Sequence, residues 1–208
     1  MAIHPTAIKN TFASHFILWT IFLPVLALIF IPLVLPEQNI DPAEVQMAQG
    51  FKVDVGQLTD SANSTFAAAF LTTGIMNKSE QMFMPKQVAG LPMQTSLPAK
   101  WIRGIWLMIY KFIWRVHVLL HIFLLPMLAL CIPAAIDGIA VRARKSFRFE
   151  RSNPIFFYSS THAAVLVVGL FVFLPLAPLT LTSSLLAVML VGLTAAVWVA
   201  SSNFQTGV

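Results

Sequence analysis

The chain has 208 residues, of which 58% are hydrophobic and only 10% are charged. Soluble domains carry about 25% charged residues, so this composition excludes an ordinary water-soluble globule. The formal net charge is +5, and the one cysteine, Cys131, excludes an intramolecular disulfide.

The first long apolar stretch covers residues 16–35 and contains no charge. About 20 apolar residues cross the ~30 Å hydrocarbon core of a bilayer, which predicts a first transmembrane helix (TM1) here. The stretch is longer than a signal-peptide core, so we expect an uncleaved anchor that follows a cytoplasmic N-terminus over residues 1–15. Pro24 and Pro32 lie inside it and predict kinks.

Residues 36–100 differ in character because charged residues occur among the apolar ones. Asp41, Pro42 and Glu44 are typical of a helix start, with a capping acid, a proline at the first helical position and an acid in the first turn. We therefore predict a small, mostly helical extracytoplasmic region between the first and second spans.

The next segment predicts one long helix over residues 101–136. Aromatic rings alternate with cations in its first half, and this combination is typical of the membrane–water interface. The predicted interfacial anchors are Trp101, Arg103, Trp106, Tyr110, Lys111, Trp114 and Arg115. The uncharged second half predicts the second span (TM2), with bends at Pro126 and Pro133.

Basic residues are concentrated in residues 137–160, and the positive-inside bias of membrane proteins predicts that this segment is a cytoplasmic loop. Asp137-Gly138 predicts the end of the second helix, because glycine tolerates a left-handed cap. The loop could hold an acidic protein surface, anionic lipid or, non-specifically, nucleic-acid phosphates. The candidate partner- or lipid-binding residues are Asp137, Gly138, Arg142, Arg144, Lys145, Phe147, Arg148 and Arg151.

Two shorter apolar stretches, 161–177 and 183–201, predict a hairpin of two further spans (TM3 and TM4) before a cytoplasmic tail over 202–208. Gly192, Ala196 and Ala200 recur at every fourth residue, and small residues at this spacing allow close helix packing in lipid. We assign this stripe to internal packing rather than to a dimer contact. The expected fold is an all-α integral membrane protein with four transmembrane helices and both termini in the cytoplasm.

Few residues suggest a catalytic or metal-binding role. His117 and His121 share one helix face and could ligate a metal or carry protons. No acid lies inside a predicted span and no nucleophile–base pair stands out, so we favour hydrogen-bonded structural roles for both histidines. We therefore expect no catalytic residue, no metal site and no cofactor.

The stretch from Asp137 to Phe147, DGIAVRARKSF, resembles a family of inner-membrane proteins that integrating conjugative elements and conjugative plasmids encode beside their coupling ATPase. In that family, a proline-kinked span is followed by an Asp-Gly turn, a basic helix, a further arginine and a Tyr-His. Arg151, Tyr158 and His162 resemble these later elements. The resemblance extends over nearly the whole layout of the chain and implies a role in conjugative DNA transfer through a type IV secretion system, without enzymatic activity.

The favoured hypothesis is a non-enzymatic component of the bacterial inner membrane that partners the type IV coupling ATPase or other conjugation membrane subunits. Membrane lipids are expected partners, a homo-oligomer is left open, and direct contact with DNA is not expected. One alternative is a small oligomeric channel or transporter, which a polar path between the spans would reveal. Another is a redox or metal enzyme that uses His117 and His121.

Overall fold

The computed structural model describes residues 12–36, 39–83, 97–147 and 154–204, and all regular structure in these ranges is helical. The elements are α1 (Phe12–Ile17), a π-helical turn (Leu18–Phe22), α2 (Leu23–Val34), α3 (Pro42–Gly50), α4 (Val55–Phe66), a second π-helical turn (Ala67–Leu71), α5 (Ile75–Phe83), α6 (Leu97–Ile122), α7 (Leu124–Phe147), α8 (Pro154–Phe173) and α9 (Ser183–Asn203). The predicted all-α class is therefore confirmed for the described residues.

The first predicted span is helical from Phe12 to Val34, with a π-helical turn in its first half. Pro24 has no N–H to donate to the carbonyl of Thr20, and its ring crowds that carbonyl. The π-helical turn ends at Phe22, two residues before Pro24, and its wider backbone accommodates the hydrogen bond that Pro24 cannot form. Pro32 lies inside α2 without ending it.

The single helix predicted over 101–136 is divided into α6 and α7, which meet at Phe123. Pro126 explains the position of the division, because its ring crowds the carbonyl of Ile122, four residues earlier. The predicted helix end at Asp137-Gly138 is wrong, since α7 continues through both residues to Phe147.

Four helical segments lie side by side in the order α2, α8, α9, α7. Along α7 and α9, Cys131 lies 3.7 Å from Thr194 (Sγ to Oγ1) and Lys145 lies 3.4 Å from Asn203 (Nζ to Oδ1), so these two helices run parallel. The α8 helix runs antiparallel to α9 and parallel to the first span. The start of α1, the end of α7, the start of α8 and the end of α9 therefore lie at the same end of the row.

The opposite end of this row is covered by α3, α4, α5 and α6, which we call the cap. The α4 and α5 helices pack against α6, and α6 itself packs against α2. A Cβ atom at Gly104 of α6 would lie 3.0 Å from the Pro32 side chain, so the two helices approach closely there. At the other end of α6, Phe123 stacks on Phe171 of α8 with 4.6 Å between ring centroids.

Five helical stretches are long and apolar enough to cross a membrane by length and composition, one more than the sequence predicts: 13–34, 97–122, 124–145, 155–173 and 183–203. The additional one is α6. In its most apolar window 44% of the residues are buried in the protein, against 6% for α7. The α6 helix is thus more covered by protein than the other four candidate helices, whereas α7 exposes most of its apolar surface.

Candidate functional site

One end of the helical row carries the basic residues that the sequence singles out. The last turns of α7 hold Arg142, Arg144 and Lys145, and α9 ends beside them. Lys145 Nζ donates to Asn203 Oδ1 at 3.4 Å, and the Arg142 guanidinium lies 5.3 Å from the centroid of the Phe204 ring. We call the last turns of α7, from Arg142 to Phe147, the basic end.

The basic end exposes both charge and aromatic surface. Arg144 is exposed, and Phe147 is 91% exposed. Asp137 is the acid nearest to it among the described residues, and its Oδ2 accepts a hydrogen bond from Trp198 Nε1 at 2.7 Å. The other described acids all lie within residues 41–80, in the cap. The described acids are therefore concentrated in the cap, and the basic end, which has three cations and no acid between Arg142 and Phe147, has a net positive surface.

The structure describes two further residues of the predicted loop, Gly138 and Tyr158. Gly138 is buried, and a Cβ atom there would lie 2.7 Å from Ser201 Cβ, so this glycine permits close packing of α7 on α9. Arg148 and Arg151 lie outside the described residues. On α8, Tyr158 is 59% exposed and lies toward the same end of the row as the basic end.

The predicted interfacial aromatic residues on α6 donate hydrogen bonds to other parts of the protein. The bonds are Trp101 Nε1 to Ile29 O (2.9 Å), Trp106 Nε1 to Ser79 Oγ (3.0 Å), Tyr110 Oη to Asn63 Oδ1 (2.8 Å) and Trp114 Nε1 to Thr59 Oγ1 (3.2 Å). Three of these four acceptors lie on α4 or α5. The aromatic residues therefore fasten the cap helices to α6.

Arg115 is not the lipid-facing anchor that the sequence predicts. A snorkelling cation keeps its charged head in water or among headgroups. The Arg115 side chain is instead fully buried and forms a bidentate ion pair with the fully buried Glu44 of α3. Lys111, one turn earlier on α6, is also buried, while Arg103 is exposed as predicted.

The Arg115 guanidinium also orders the connection between α8 and α9. Its Nη1 donates to the carbonyl of Ala177 at 2.6 Å and more weakly to those of Leu174 and Pro175 at 3.3 Å, and its Nη2 donates to Leu179 O at 2.6 Å. These carbonyls end α8 or follow it, so no helical N–H is available to them. One side chain therefore donates to four carbonyls of a connection that is buried from Leu174 to Ala177.

Acidic residues of α3 bind the same connection from the other side. Glu44 Oε1 accepts the N–H of Leu181 at 3.1 Å, and Asp41 Oδ2 accepts the Thr180 hydroxyl at 2.6 Å. The hydrogen bond from Thr180, followed by that from the Ala43 N–H, lowers the pKa of the Asp41 carboxyl below its usual 3.8. Asp41 also caps α3, which confirms the predicted helix start.

Sequence reasoning missed this ionic centre because its two charges are 71 residues apart. A signal for a buried acid was nevertheless present in the sequence of α3 itself. Glu44, Met47 and Ala48 recur with helical spacing on one face of α3, and all three are buried. An acid among apolar residues on the buried face of a helix requires a cationic partner.

The predicted packing stripe on α9 is only partly buried against other helices. Ala196 is buried, whereas Gly192 and Ala200 are half-buried, and a Cβ atom at Gly192 would meet nothing within 4 Å. The close helix approaches fall instead at Gly138, against α9, and at Gly169 of α8, where a Cβ atom would collide with Trp19.

His117 and His121 are held by backbone carbonyls. His117 Nδ1 lies 2.9 Å from Ile113 O and His121 Nδ1 lies 2.8 Å from His117 O, so each ring bonds to the preceding helical turn. His117 Nε2 lies 3.5 Å from Thr65 Oγ1 of α4. Among the described residues, no three His, Cys, Asp or Glu side chains converge as a metal site would require.

Comparison with known proteins identifies the family but no close relative. No curated protein and no solved structure matches the chain. Residues 36–205 match the family model described as IncC plasmid conjugative DNA transfer protein DtrJ-like, so the match covers the cap, the basic end and the closing helices. The resemblance to conjugative-transfer proteins is thereby confirmed, and the chain belongs to the DtrJ-like family of conjugative DNA transfer proteins.

Proposed function

We propose that this protein is a non-enzymatic inner-membrane component of a type IV secretion system and that its basic end docks the coupling ATPase. Family membership supports the role in conjugative DNA transfer. The helices exposed along the row support residence in a bilayer, because their accessible surface is apolar over a length that matches its core. The charge of the basic end indicates the kind of partner.

In this proposal four helical segments cross the membrane, and α6 lies across their outer ends. From Gly104 to Phe123, α6 extends about 28 Å. Three steps between neighbouring helices, at about 8–10 Å each, lead from α2 across α8 and α9 to α7 and require about 24–30 Å. Both ends of α6 contact the same end of the row, at Pro32 and at Phe171. A helix in this position bridges the spans instead of adding one.

The orientation follows from charge. Arg142, Arg144 and Lys145 end α7, and the adjoining link contributes Arg148 and Arg151 to the sequence. Under the positive-inside rule this end faces the cytoplasm, with both chain termini, and the cap faces the periplasm. The coupling ATPase acts on the cytoplasmic side, so the basic end is the surface within its reach.

The observation that carries the docking proposal is the group of three cations, without an acid among them, at the basic end. A group of neighbouring cations attracts an acidic surface and accelerates association. Phe147, 91% exposed at the tip of α7, adds an apolar contact of the kind that is enriched at protein interfaces. The partner that fits is an acidic protein surface with an apolar cleft.

The test is charge reversal of Arg142→Glu, Arg144→Glu and Lys145→Glu together. We expect conjugative transfer and co-purification with the coupling ATPase to fall at least about tenfold, since 1.4 kcal/mol of lost attraction already weakens binding by that factor. The protein remains in the membrane fraction. Neutralisation of the same residues to Gln gives a smaller loss in the same direction.

The matched control reverses three exposed cap cations, Lys52→Glu, Lys78→Glu and Lys100→Glu. It changes the net charge equally at the opposite end and leaves transfer within about twofold, because exposed charges contribute little to stability. Unchanged transfer in the basic-end variants, or an equal loss in the cap variant, contradicts docking through the basic end.

A further inference from the structure

The continuation of α7 beyond its predicted end places an acid inside a stretch that can cross a membrane. The stretch 124–145 includes Asp137, where the sequence predicts a helix end. At about 1.5 Å per residue, Asp137 lies about 20 Å along α7 from Leu124 and about 7–8 Å before Arg142. In the proposed topology this carboxylate therefore lies inside the ~30 Å hydrocarbon core, closer to the bilayer centre than the basic end.

The Asp137 carboxylate has few partners for an acid in this position. The side chain is exposed, and its Oδ2 accepts a hydrogen bond from Trp198 Nε1 at 2.7 Å. Within the described part of the chain this is its only hydrogen bond, and no ion pair there includes it. A carboxylate offers about four acceptor positions, and ionisable groups within membrane helices normally pair with other groups. Most of its acceptor capacity is therefore available to another molecule.

The surface around Asp137 is apolar and belongs to both α7 and α9. On α9, Val191, Ala195 and Trp198 are exposed and follow one another at spacings of four and three residues. On α7, the exposed Leu130 lies two turns before Asp137 on the same side of the helix. Because Trp198 donates to Asp137, the two stripes lie on one side of the row. We call this surface the α7–α9 face.

We propose that the α7–α9 face binds a membrane-spanning helix of a different subunit, and that a lysine or arginine of this helix pairs with Asp137. The inference rests on the proposed four-span topology and not on docking through the basic end. A basic side chain supplies both the donors and the opposite charge that the carboxylate requires. The attraction is strong at this depth, because little water is present to screen it.

A second copy of the chain does not fit as the occupant. Two copies have the same orientation in the membrane, so two α7–α9 faces related by a twofold axis bring both Asp137 carboxylates to the same depth, where like charges repel. The Lys and Arg side chains in the described parts of α1, α2, α7, α8 and α9 are Arg142, Arg144 and Lys145, about 7–12 Å nearer the cytoplasm. Acyl chains alone do not fit either, because they offer no donor.

The experiment places the photo-crosslinking residue p-benzoylphenylalanine at Val191 of the full chain, in donor cells that contain the conjugation machinery. We expect a cross-link to a membrane protein other than this chain, with a Lys or Arg near the cytoplasmic end of a spanning helix. In Asp137→Asn, cross-linking and conjugative transfer should both fall at least about tenfold. Exchange of the two charges, with Asp137→Lys and replacement of the basic residue of the other subunit by Asp, restores transfer.

Three variants separate pairing from a structural role. Asp137→Glu keeps the charge and retains cross-linking and transfer. Trp198→Phe removes the internal hydrogen bond but leaves the carboxylate, so transfer stays within about twofold of the parent, since an exposed hydrogen bond contributes little. Asp60→Asn, the same change at an exposed acid of α4, is the matched control and leaves transfer unchanged. The amount of each variant in the membrane fraction verifies folding.

Unchanged transfer in Asp137→Asn, an equal loss in Trp198→Phe, the absence of a cross-linked protein or a cross-link to a second copy would each overturn the proposal. None of these outcomes affects the docking proposal, which is tested by charge reversal at Arg142, Arg144 and Lys145. A transfer defect in those variants combined with normal transfer in Asp137→Asn contradicts only the pairing at Asp137.

Discussion

At the scale of single residues, the Arg115–Glu44 ion pair carries a large desolvation cost. Both side chains are fully buried, and removal of two charges from water costs several kcal/mol per ion. The cost is offset because the guanidinium also donates to carbonyls between Leu174 and Leu179, and because the carboxylate accepts the N–H of Leu181. Each charge thus has several partners, which is the condition under which a buried pair is tolerated.

Replacement of either partner alone is therefore expected to be severe. Arg115→Met leaves Glu44 as an uncompensated buried carboxylate, and Glu44→Gln leaves the guanidinium without its counter-ion. We expect each to lower the free energy of unfolding by about 3–5 kcal/mol, and the double variant to lose less than the sum of the two. The measurement is reversible unfolding in detergent, arranged as a double-mutant cycle.

Arg103→Met on the same helix is the control, because Arg103 is exposed and its replacement changes stability by about 0.5 kcal/mol or less. Additive losses at Arg115 and Glu44, or a loss no larger than at Arg103, would show that the pair does not act as a buried unit.

At the scale of helices, glycine positions decide how closely the row is packed. Glycine is unfavourable in a helix relative to alanine by about 1 kcal/mol, so it is useful only where another segment occupies the space of its Cβ. Gly138 meets this condition, since Ser201 and the Trp198 carbonyl lie within 3 Å of a Cβ built there. Gly192, although part of the small-residue stripe, does not, because that space is open.

Two alanine substitutions should therefore have opposite signs. Gly138→Ala forces α7 away from α9 and destabilises by about 1–3 kcal/mol through overpacking. Gly192→Ala stabilises by up to about 1 kcal/mol through helix propensity. Tm values of the purified variants provide the comparison. Equal changes in Tm at the two sites would mean that α7 and α9 are farther apart at Gly138 than the structure shows.

At the scale of the whole molecule, the position of α6 determines the topology. Its length and apolar composition qualify it as a span, yet it is the most buried of the five candidate helices, and both of its ends contact one end of the row. With α6 across the spans, the cap and the basic end lie on opposite sides of the membrane. With α6 as a fifth span, they lie on the same side.

Cysteine labelling distinguishes these arrangements. In a Cys131→Ser background, single cysteines replace Lys52 in the cap and Phe147 at the basic end, both exposed positions. In spheroplasts, a membrane-impermeant maleimide should label Lys52→Cys directly and Phe147→Cys only after permeabilisation. Phe204→Cys, at the end of α9, is expected to behave like Phe147→Cys. Direct labelling of both Lys52→Cys and Phe147→Cys would favour five spans.

Properties that depend on neighbouring residues in the chain were predictable. Apolar runs identify helices that are long and apolar enough to cross a membrane, because a bilayer requires a continuous length of apolar surface. Clustered arginines identify the charged end, and Asp41 identifies the start of α3, because capping acts over two or three residues. The resemblance of residues 137–147 to conjugative-transfer proteins was equally a local pattern.

The tertiary structure alone decided which charged and aromatic residues are exposed and which are buried against other parts of the protein. Arg103 and Arg115 occur in the same kind of sequence, yet one is exposed and the other is buried against Glu44. Hydropathy cannot separate them, because burial of a charge depends on a partner 71 residues away and on the carbonyls of a turn about 60 residues in the other direction. Local composition determines whether a helix suits an apolar or an aqueous environment, whereas long-range packing determines its neighbours.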